Sequence, residues 1–136
     1  MLRPMEFFVN TKRKQELANI TNRVEEAVRK SSVENGICVV YVPHATAGII
    51  VNENYDPSVC EDIVDAMEKL IPIRAGYRHD AIDSNAHAHI KASIIGPGKT
   101  IPIENGKLKL GTWQGIALAE FDGPRERTVI VKVIKG

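Results

Sequence analysis

The chain has 136 residues, a length typical of one globular domain. Hydrophobic residues make up 43% and charged residues 26%, which excludes a wholly disordered chain. The formal net charge is +1 and aromatic residues are only 5%, so no basic nucleic-acid surface or base-stacking platform is indicated. No apolar run approaches the roughly 18 residues of a membrane span. We therefore expect a single domain over residues 1–136, with no nucleic-acid partner and no membrane span.

The cysteines and the N-terminus both bear on the cellular compartment. Cys38 and Cys60 form no Cys-x-x-Cys pair, and each lies in an apolar context typical of a buried free thiol. Residues 1–6 contain no long apolar stretch, so we expect no secretory signal. The sequence therefore predicts a protein of a reducing, cytoplasmic compartment.

Hydrophobic periodicity predicts both strands and helices in the first half of the chain. The predicted strands are residues 5–9, 37–42 and 47–51, and the predicted helices are residues 21–32 and 57–70. Thr21 offers a capping oxygen for the first helix, and Asn22 with Glu25 offers a second possibility for the same role. The second helix has a strong start signal, because Asp56 is a typical N-cap and Pro57 suits the first helical position.

Two segments are ambiguous at the level of sequence. The polar stretch 10–19 could extend the first strand around a turn. Residues 84–95 show an alternation that fits a strand and an apolar spacing that fits a helix. We favour the helix, because Asp83 or Ser84 can cap its start and Gly96 can end it.

The last third of the chain is β in character. Its predicted strands are residues 99–103, 107–110, 112–121 and 128–134. Asn105 and Gly106 lie between the first two, and Asn-Gly between strand-like runs is a strong hairpin signal. The elements together predict one α+β domain with about six or seven strands and three helices.

The histidines are the most informative polar residues, because all four lie in the middle third of the chain: His44, His79, His87 and His89. Imidazole is a common metal ligand, and a catalytic zinc site often takes three protein ligands and keeps one position open. In a helix His87 and His89 point about 200° apart, so only one of them can join His44 and His79. In a strand both share one face. The alternative is that these are surface or hydrogen-bonded loop histidines, since their spacing matches no compact zinc motif.

Two carboxylates are candidates for acid or base chemistry. Asp80 follows His79 directly and could orient a ligating imidazole through its second ring nitrogen. Glu120 lies in an otherwise apolar run, where burial would raise its pKa. The competing interpretation of Glu120 is an outward-facing residue on an edge strand.

Several segments together resemble the YjbQ family, small proteins labelled secondary thiamine-phosphate synthases. The matching segments, in family order, are residues 44–48, 52–57, 79–80, 89–93, 111–115 and 123–127. The resemblance covers nearly the whole chain. It implies an α+β fold with a mixed or antiparallel β-sandwich core, a homotrimer, and a pocket near subunit boundaries that the motif residues line.

The resemblance also implies which residues carry the function. The family pattern points to His44, His79 and His89 as the pocket histidines and leaves His87 out. The label implies transfer of a pyrimidine-methyl group from its diphosphate to a thiazole phosphate. Three imidazoles suit a zinc-like ion better than Mg²⁺, which prefers oxygen ligands, so this site fits that label poorly.

We therefore predict a small trimeric protein with a divalent, zinc-like metal at His44, His79 and His89 and a phosphorylated small-molecule ligand. Asp80 and Glu120 are the predicted catalytic residues. The residues predicted to shape the substrate pocket are Thr46, Asn52, Ser93, Thr112, Trp113 and Gln114. The activity would be a weak thiamine-phosphate synthase-like transfer or a metal-dependent hydrolysis. The alternatives are a non-catalytic module that binds a metal or metabolite, and a structural protein whose trimer is its function.

Overall fold

The computed structural model describes residues 5–136. Residues 1–4, part of the stretch behind the expectation of no secretory signal, lie outside the described residues. The described strands are β1 (Met5–Asn10), β2 (Glu16–Asn19), β3 (Gly36–Tyr41), β4 (Ala47–Glu53), β5 (Gly98–Glu104), β6 (Lys107–Leu108), β7 (Gln114–Glu120) and β8 (Glu126–Lys135). The described helices are α1 (Thr21–Ser31), α2 (Pro57–Leu70) and α3 (Ala86–Ile95), and a 3₁₀ turn at Arg78–Ala81 precedes α3.

The strands form two antiparallel sheets, which confirms the predicted α+β fold. One sheet has the order β1-β8-β3-β5-β6, and the other has the order β2-β7-β4. The ambiguous stretch 10–19 contains a strand of its own. That strand, β2, leaves the sheet of β1 and pairs with β7, so the chain crosses between the sheets within a few residues. This early crossing gives β7 a neighbour on each side and makes it the central strand of the smaller sheet.

The main core lies between the sheets and is closed on one side by α1. Val24, Val40, Leu118 and Val129 are fully buried there. A second cluster lies on the other face of the three-stranded sheet, where Ala88 and Ala92 of α3 pack against Ala119 and Phe121. Successive strand residues point to opposite faces, so β7 serves both clusters and is buried from Gly115 to Glu120. Small residues at the second cluster bring α3 close to the sheet.

The structure confirms the predicted start of α2 but not the predicted cap of α1. α2 spans Pro57–Leu70, as predicted, and the Asp56 carboxylate accepts a hydrogen bond from the Ser58 N–H at 2.9 Å. The predicted cap of α1 is wrong, since Ile20 occupies the N-cap position without a side-chain bond. The Thr21 hydroxyl instead accepts a hydrogen bond from the Ile116 N–H at 2.9 Å and ties α1 to β7. A tertiary hydrogen bond therefore uses the hydroxyl that the local sequence pattern assigns to helix capping.

The structure confirms the helix over most of residues 84–95 and the hairpin at Asn105 and Gly106. α3 ends before Gly96, whose φ of 90° is a conformation that favours glycine. Neither predicted cap, Asp83 or Ser84, starts the helix. The Asp80 carboxylate accepts from the Ala86 N–H at 3.0 Å instead, so the 3₁₀ turn is fastened to the head of α3. Asn105 and Gly106 both have positive φ, at 54° and 76°, as a tight hairpin turn requires.

α2 is the least covered helix of the described chain. None of its residues is fully buried, and Leu70 is 76% exposed. At 14 residues it is too short to cross a bilayer. No helix within residues 5–136 combines the length and the apolar character that a membrane span requires.

Candidate functional site

The predicted pocket residues lie at opposite ends of the three-stranded sheet. The antiparallel register places Ala47 opposite Glu120 and Glu53 opposite Gln114. Thr46 and Glu120 are therefore at one end, here called the Glu120 end, and Gln114 is at the other, here called the Trp113 end. Six strand residues at about 3.3 Å each separate the two ends by roughly 20 Å. The predicted residues on or beside β4 and β7 therefore form two groups within one chain.

The Trp113 end carries an exposed aromatic pair. Trp113 is 65% and Tyr55 is 83% exposed, and their ring centroids lie 6.5 Å apart in an edge-on arrangement. Gly111 donates its N–H to the Gln114 side chain at 2.7 Å, which shapes the loop before β7. The other predicted residues at this end, Asn52 and Thr112, are exposed. This surface is available to a ligand or to another protein chain.

The Glu120 end is built around a buried ion pair. Glu120 is fully buried, and its carboxylate accepts hydrogen bonds from the Arg127 guanidinium through Nε at 2.8 Å and through Nη2. It also accepts from the Thr11 hydroxyl at 2.8 Å and from the Asp122 N–H at 3.0 Å. Arg127 in turn donates to the Thr46 hydroxyl at 2.9 Å. The pair joins β8 of the larger sheet to β7 of the smaller one.

The predicted raised pKa of Glu120 is wrong. Burial by itself raises the pKa of this carboxyl, but the hydrogen bonds from Arg127, the Asp122 N–H and Thr11 outweigh it and leave the pKa below its usual value. The alternative of an outward-facing residue on an edge strand is also wrong, because β7 is central and the side chain is enclosed. An ionised carboxylate held by four donors favours a role in positioning Arg127 over proton transfer.

Replacing Thr11 with valine is expected to lower the free energy of unfolding by about 1–2 kcal/mol. The buried Thr11 hydroxyl is the side-chain link between Glu120 and the Arg125 N–H, and valine leaves both without that partner. Urea denaturation of purified protein measures the change. Thr100→Val, at an exposed position on β5, is the matched control and should stay within about 0.5 kcal/mol. Equal stability of the two variants would contradict the prediction.

His44 lies half-buried near the same end. Its Nε2 accepts a hydrogen bond from the Thr128 N–H at 2.9 Å. Burial, and then the positive charge of Arg127, lower the pKa of His44, so the ring is neutral near pH 7. Because Nε2 accepts this bond, the proton of the neutral ring lies on Nδ1, so a metal ion could bind the ring only if His44 first released the Thr128 N–H.

His79 and His89 form a close pair. Their ring centroids are 4.9 Å apart and their planes meet at 87°. His79 lies on the 3₁₀ turn and His89 on the solvent side of α3, and the bond from Ala86 to Asp80 holds those two elements together. Ser93, one turn beyond His89, donates its hydroxyl to the His89 carbonyl at 2.8 Å. The structure thus brings together the predicted residues His79, Asp80, His89 and Ser93.

The segment around this pair also holds unsatisfied polar atoms. Within residues 5–136, the buried side-chain atoms without a hydrogen-bond partner are His79 Nε2, Asp80 Oδ2, Asn85 Oδ1 and His87 Nε2. Buried polar atoms are nearly always paired in folded proteins, so such atoms call for a physical explanation. All four lie between residues 79 and 87. The turn before α3 and the first turn of α3 are therefore the candidate polar binding region.

The donor set fits a metal ion only in part. Imidazole pairs suit zinc-like ions, so His79 and His89 fit as two ligands. Across the described part of the chain, however, no three His, Cys, Asp or Glu side chains are grouped closely enough to hold an ion. The predicted set of His44, His79 and His89 is therefore not assembled within a single chain.

Sequence reasoning missed the residues that organise the polar regions. Lys91 is fully buried on α3 between Ala88 and Ala92, four residues after His87. That spacing places Lys91 and His87 on one helix face, which is the signal that could have revealed their contact. Arg127 appears in the sequence only as the last residue of the matching segment 123–127, with no role of its own. Its burial depends on β7, which sequence pattern does not position.

Comparison with known proteins identifies the family. The profile described as "UPF0047 protein YjbQ-like" matches residues 5–136. A UPF0047 protein of Methanocaldococcus jannaschii is 49% identical over 126 residues, covering 93% of this chain and 90% of that relative. A UPF0047 protein of Archaeoglobus fulgidus is 46% identical, covering 96% of this chain and 100% of that relative.

Solved structures agree with this relationship. A YbjQ-like protein of unknown function from Sulfolobus solfataricus superposes with a TM-score of 0.95 at 40% identity, covering 98% of this chain and 97% of that one. An uncharacterised conserved protein from Clostridium acetobutylicum superposes with a TM-score of 0.92 at 51% identity, covering 96% of this chain and 99% of that one. The chain belongs to the YjbQ-like UPF0047 family.

Proposed function

We propose that this protein binds a zinc-like divalent ion and a phosphorylated small molecule at the His79 and His89 pair. The observation that carries the proposal is the 4.9 Å edge-on contact between the two rings. Unpartnered atoms of His79 and Asp80 lie in the same segment and support it. Two imidazoles favour zinc-like ions, whereas Mg²⁺ prefers oxygen ligands.

We further propose that a homotrimer completes the metal site, with His44 of a neighbouring copy as the third ligand through Nε2 once it releases the Thr128 N–H. No three His, Cys, Asp or Glu side chains are grouped closely enough among residues 5–136 to hold an ion, so a three-ligand site requires a residue from another copy. Ile82, which lies between the two histidines in the chain, and Ile94, which follows His89 by five residues, are 76% and 65% exposed. Large exposed apolar side chains beside a polar site are typical of a surface that another chain covers.

The proposed activity is a reaction of a phosphorylated ligand. It is either a thiamine-phosphate synthase-like transfer or a metal-dependent hydrolysis. A bound ion would polarise a phosphate oxygen or activate a water molecule. In this chain Asp80 fixes the 3₁₀ turn against α3 through one oxygen and leaves the other free to orient an imidazole or accept a proton. The free, uncrosslinked Cys38 and Cys60 support a reducing, cytoplasmic setting for this activity.

A second candidate is a non-catalytic module that binds the same metal and metabolite. The observation that favours it is the locked state of Glu120, whose carboxylate already accepts four hydrogen bonds. Turnover separates the candidates. Tight zinc binding without turnover of phosphate esters or thiamine precursors would favour the binding module.

Replacing His79 or His89 with alanine is expected to weaken zinc binding by more than about 100-fold. Loss of a direct ligand should exceed the 10–100-fold typical of losing a group that only supports a ligand. Isothermal titration with Zn²⁺ and elemental analysis of tag-free protein measure affinity and stoichiometry. Arg78→Ala, an exposed change on the same 3₁₀ turn, is the matched control and should bind as the wild type does. Full zinc stoichiometry in both histidine variants would refute the site.

Introducing a charge at Ile94 tests the shared site. Ile94→Asp should convert the trimer to monomers and reduce zinc affinity, because it places a carboxylate in the proposed contact between copies. Sedimentation equilibrium and zinc titration on the same samples give the two readouts. Lys30→Asp, far from the site on α1, should change neither. Monomeric wild-type protein with unimpaired zinc binding would exclude a site shared between copies.

A further inference from the structure

Lys91 is a fully enclosed cation whose hydrogen bonds are all accounted for. Its Nζ lies 2.7 Å from Glu68 Oε1, 2.9 Å from Gln15 Oε1 and 2.9 Å from His87 Nδ1. A lysine ammonium has three N–H donors and no acceptor. The three donors therefore match these three acceptors, and the contact with His87 has only one possible direction.

That direction fixes the proton on the His87 ring. Because Nδ1 accepts from Lys91, the proton of the neutral ring must lie on Nε2. His87 is only 1% exposed, and its Nε2 has no hydrogen-bond partner among residues 5–136. The structure thus contains a buried N–H donor without an acceptor, an arrangement that is costly unless something binds there.

The surroundings of His87 place this donor at the head of α3. His87 belongs to the first turn of the ten-residue helix, where the helix dipole favours a negative charge, although the Ala86 N–H of this turn is already bonded to the Asp80 carboxylate. Asn85 donates through Nδ2 to the Asp122 carboxylate at 3.0 Å, so its orientation is fixed and the unpartnered Oδ1 is an acceptor. Lys14, 2.7 Å from Asp122, neutralises that carboxylate beside the helix end.

We propose that His87 Nε2–H donates to an anionic phosphate oxygen bound at the N-terminal end of α3. Lys91 is the positioning residue, because its ammonium keeps the proton of His87 on Nε2. Asn85 Oδ1 can accept from the hydroxyl of a protonated phosphate, which has both kinds of group. The assignment gives the phosphorylated ligand of the proposed function a specific contact and rests on that function for its ligand class, but not on the metal ion. It also excludes His87 as a metal ligand, since Nδ1 is bonded to Lys91 and Nε2 carries the proton.

Two substitutions at His87 separate the donor from the rest of the ring. In His87→Asn the side-chain oxygen can replace Nδ1 as the acceptor for Lys91, but nothing replaces Nε2–H. In His87→Gln the side-chain N–H can reach the position of Nε2. Inorganic phosphate is the probe, titrated while backbone amide shifts of residues 85–88 are followed by NMR. We expect binding to weaken about 10–100-fold in His87→Asn and to stay within about 3-fold of the wild type in His87→Gln.

The same samples distinguish this inference from the metal proposal. Zn²⁺ affinity should be unchanged in His87→Asn and lost in His79→Ala. Retained zinc binding in His79→Ala would overturn the metal site and leave the phosphate result standing. Wild-type affinity for phosphate in His87→Asn, or no amide shifts with phosphate in the wild-type protein, would overturn the inference and indicate a structural water at Nε2. Thermal melts establish that each variant is folded.

The role of Lys91 has a spectroscopic test. Long-range ¹H–¹⁵N correlation spectra report which ring nitrogen of His87 carries the proton. The wild type should show the Nε2–H form alone, and Lys91→Met should show a mixture of both forms and about tenfold weaker phosphate binding. A pure Nε2–H form in folded Lys91→Met would show that Lys91 does not set the tautomer.

Discussion

Glu120→Ala is expected to lower the free energy of unfolding by about 3–5 kcal/mol, the cost of leaving one member of a buried ion pair uncompensated. The substitution leaves the buried Arg127 guanidinium without its carboxylate partner. It also removes the hydrogen-bond acceptor of the Thr11 hydroxyl and of the Asp122 N–H. Urea denaturation measures the loss. A variant that is already unfolded in buffer supports the prediction only if a cooperative unfolding transition returns at low temperature or on addition of ligand.

The double variant Glu120→Leu with Arg127→Met shows whether charge or volume is responsible. Removing both charges leaves no isolated ion in the interior, so the double variant should be more stable than Glu120→Ala. Glu104→Ala, which breaks the half-exposed pair with Lys109 on the surface, is the control and should cost less than about 1 kcal/mol. A loss of similar size in Glu104→Ala and Glu120→Ala would contradict the importance of burial.

Acid is expected to destabilise the protein strongly between about pH 5 and pH 2. Burial acts to raise the pKa of Glu68, but the hydrogen bonds from Lys91, the Ile73 N–H and Gln15 outweigh it and bring the pKa to about 2. A carboxyl whose pKa is lower in the folded state stabilises the fold above its unfolded value, near 4.3, and loses this contribution as the pH falls through the folded value. Glu120 and Asp122 have lowered pKa values and act in the same direction.

Glu68→Gln isolates one part of this dependence. Its side chain is 35% exposed, so solvent screening limits the expected contribution to about 1–2 kcal/mol at pH 7. Glutamine keeps an oxygen for Lys91 but does not titrate, so the profile of stability against pH should be flatter. Ser93→Ala, without a titratable group, should follow the wild-type profile. Parallel profiles for Glu68→Gln and the wild type would mean that this carboxyl does not contribute.

Local signals determined the secondary structure well. The Asp56 and Pro57 start and the apolar face predicted α2 over the residues it occupies, and Asn105 with Gly106 predicted the hairpin. These signals work because capping and turn conformations depend on residues only a few positions apart. The helix over residues 84–95 also separated His87 from His89, as a rotation of about 100° per residue requires.

The role predicted for Glu120 shows what a local sequence pattern does not reveal. Small apolar neighbours correctly indicated burial, but the pKa of a buried carboxyl depends on the partner that burial supplies. That partner, Arg127, belongs to the other sheet, and Thr11 comes from the opposite end of the chain. For the same reason Thr46 and Gln114 were predicted to share one pocket, although the strand register puts them at opposite ends of a sheet.

The sequence by itself determined the family, the α+β class and the residue types that can carry chemistry, because these follow from motifs and short-range periodicity. Only the tertiary structure decided how those residues are used. It paired His79 with His89, gave His44 Nε2 to a backbone N–H, and enclosed Lys91 against His87. Protonation and hydrogen-bond direction are set by contacts between residues distant in the chain, and no local pattern contains that information.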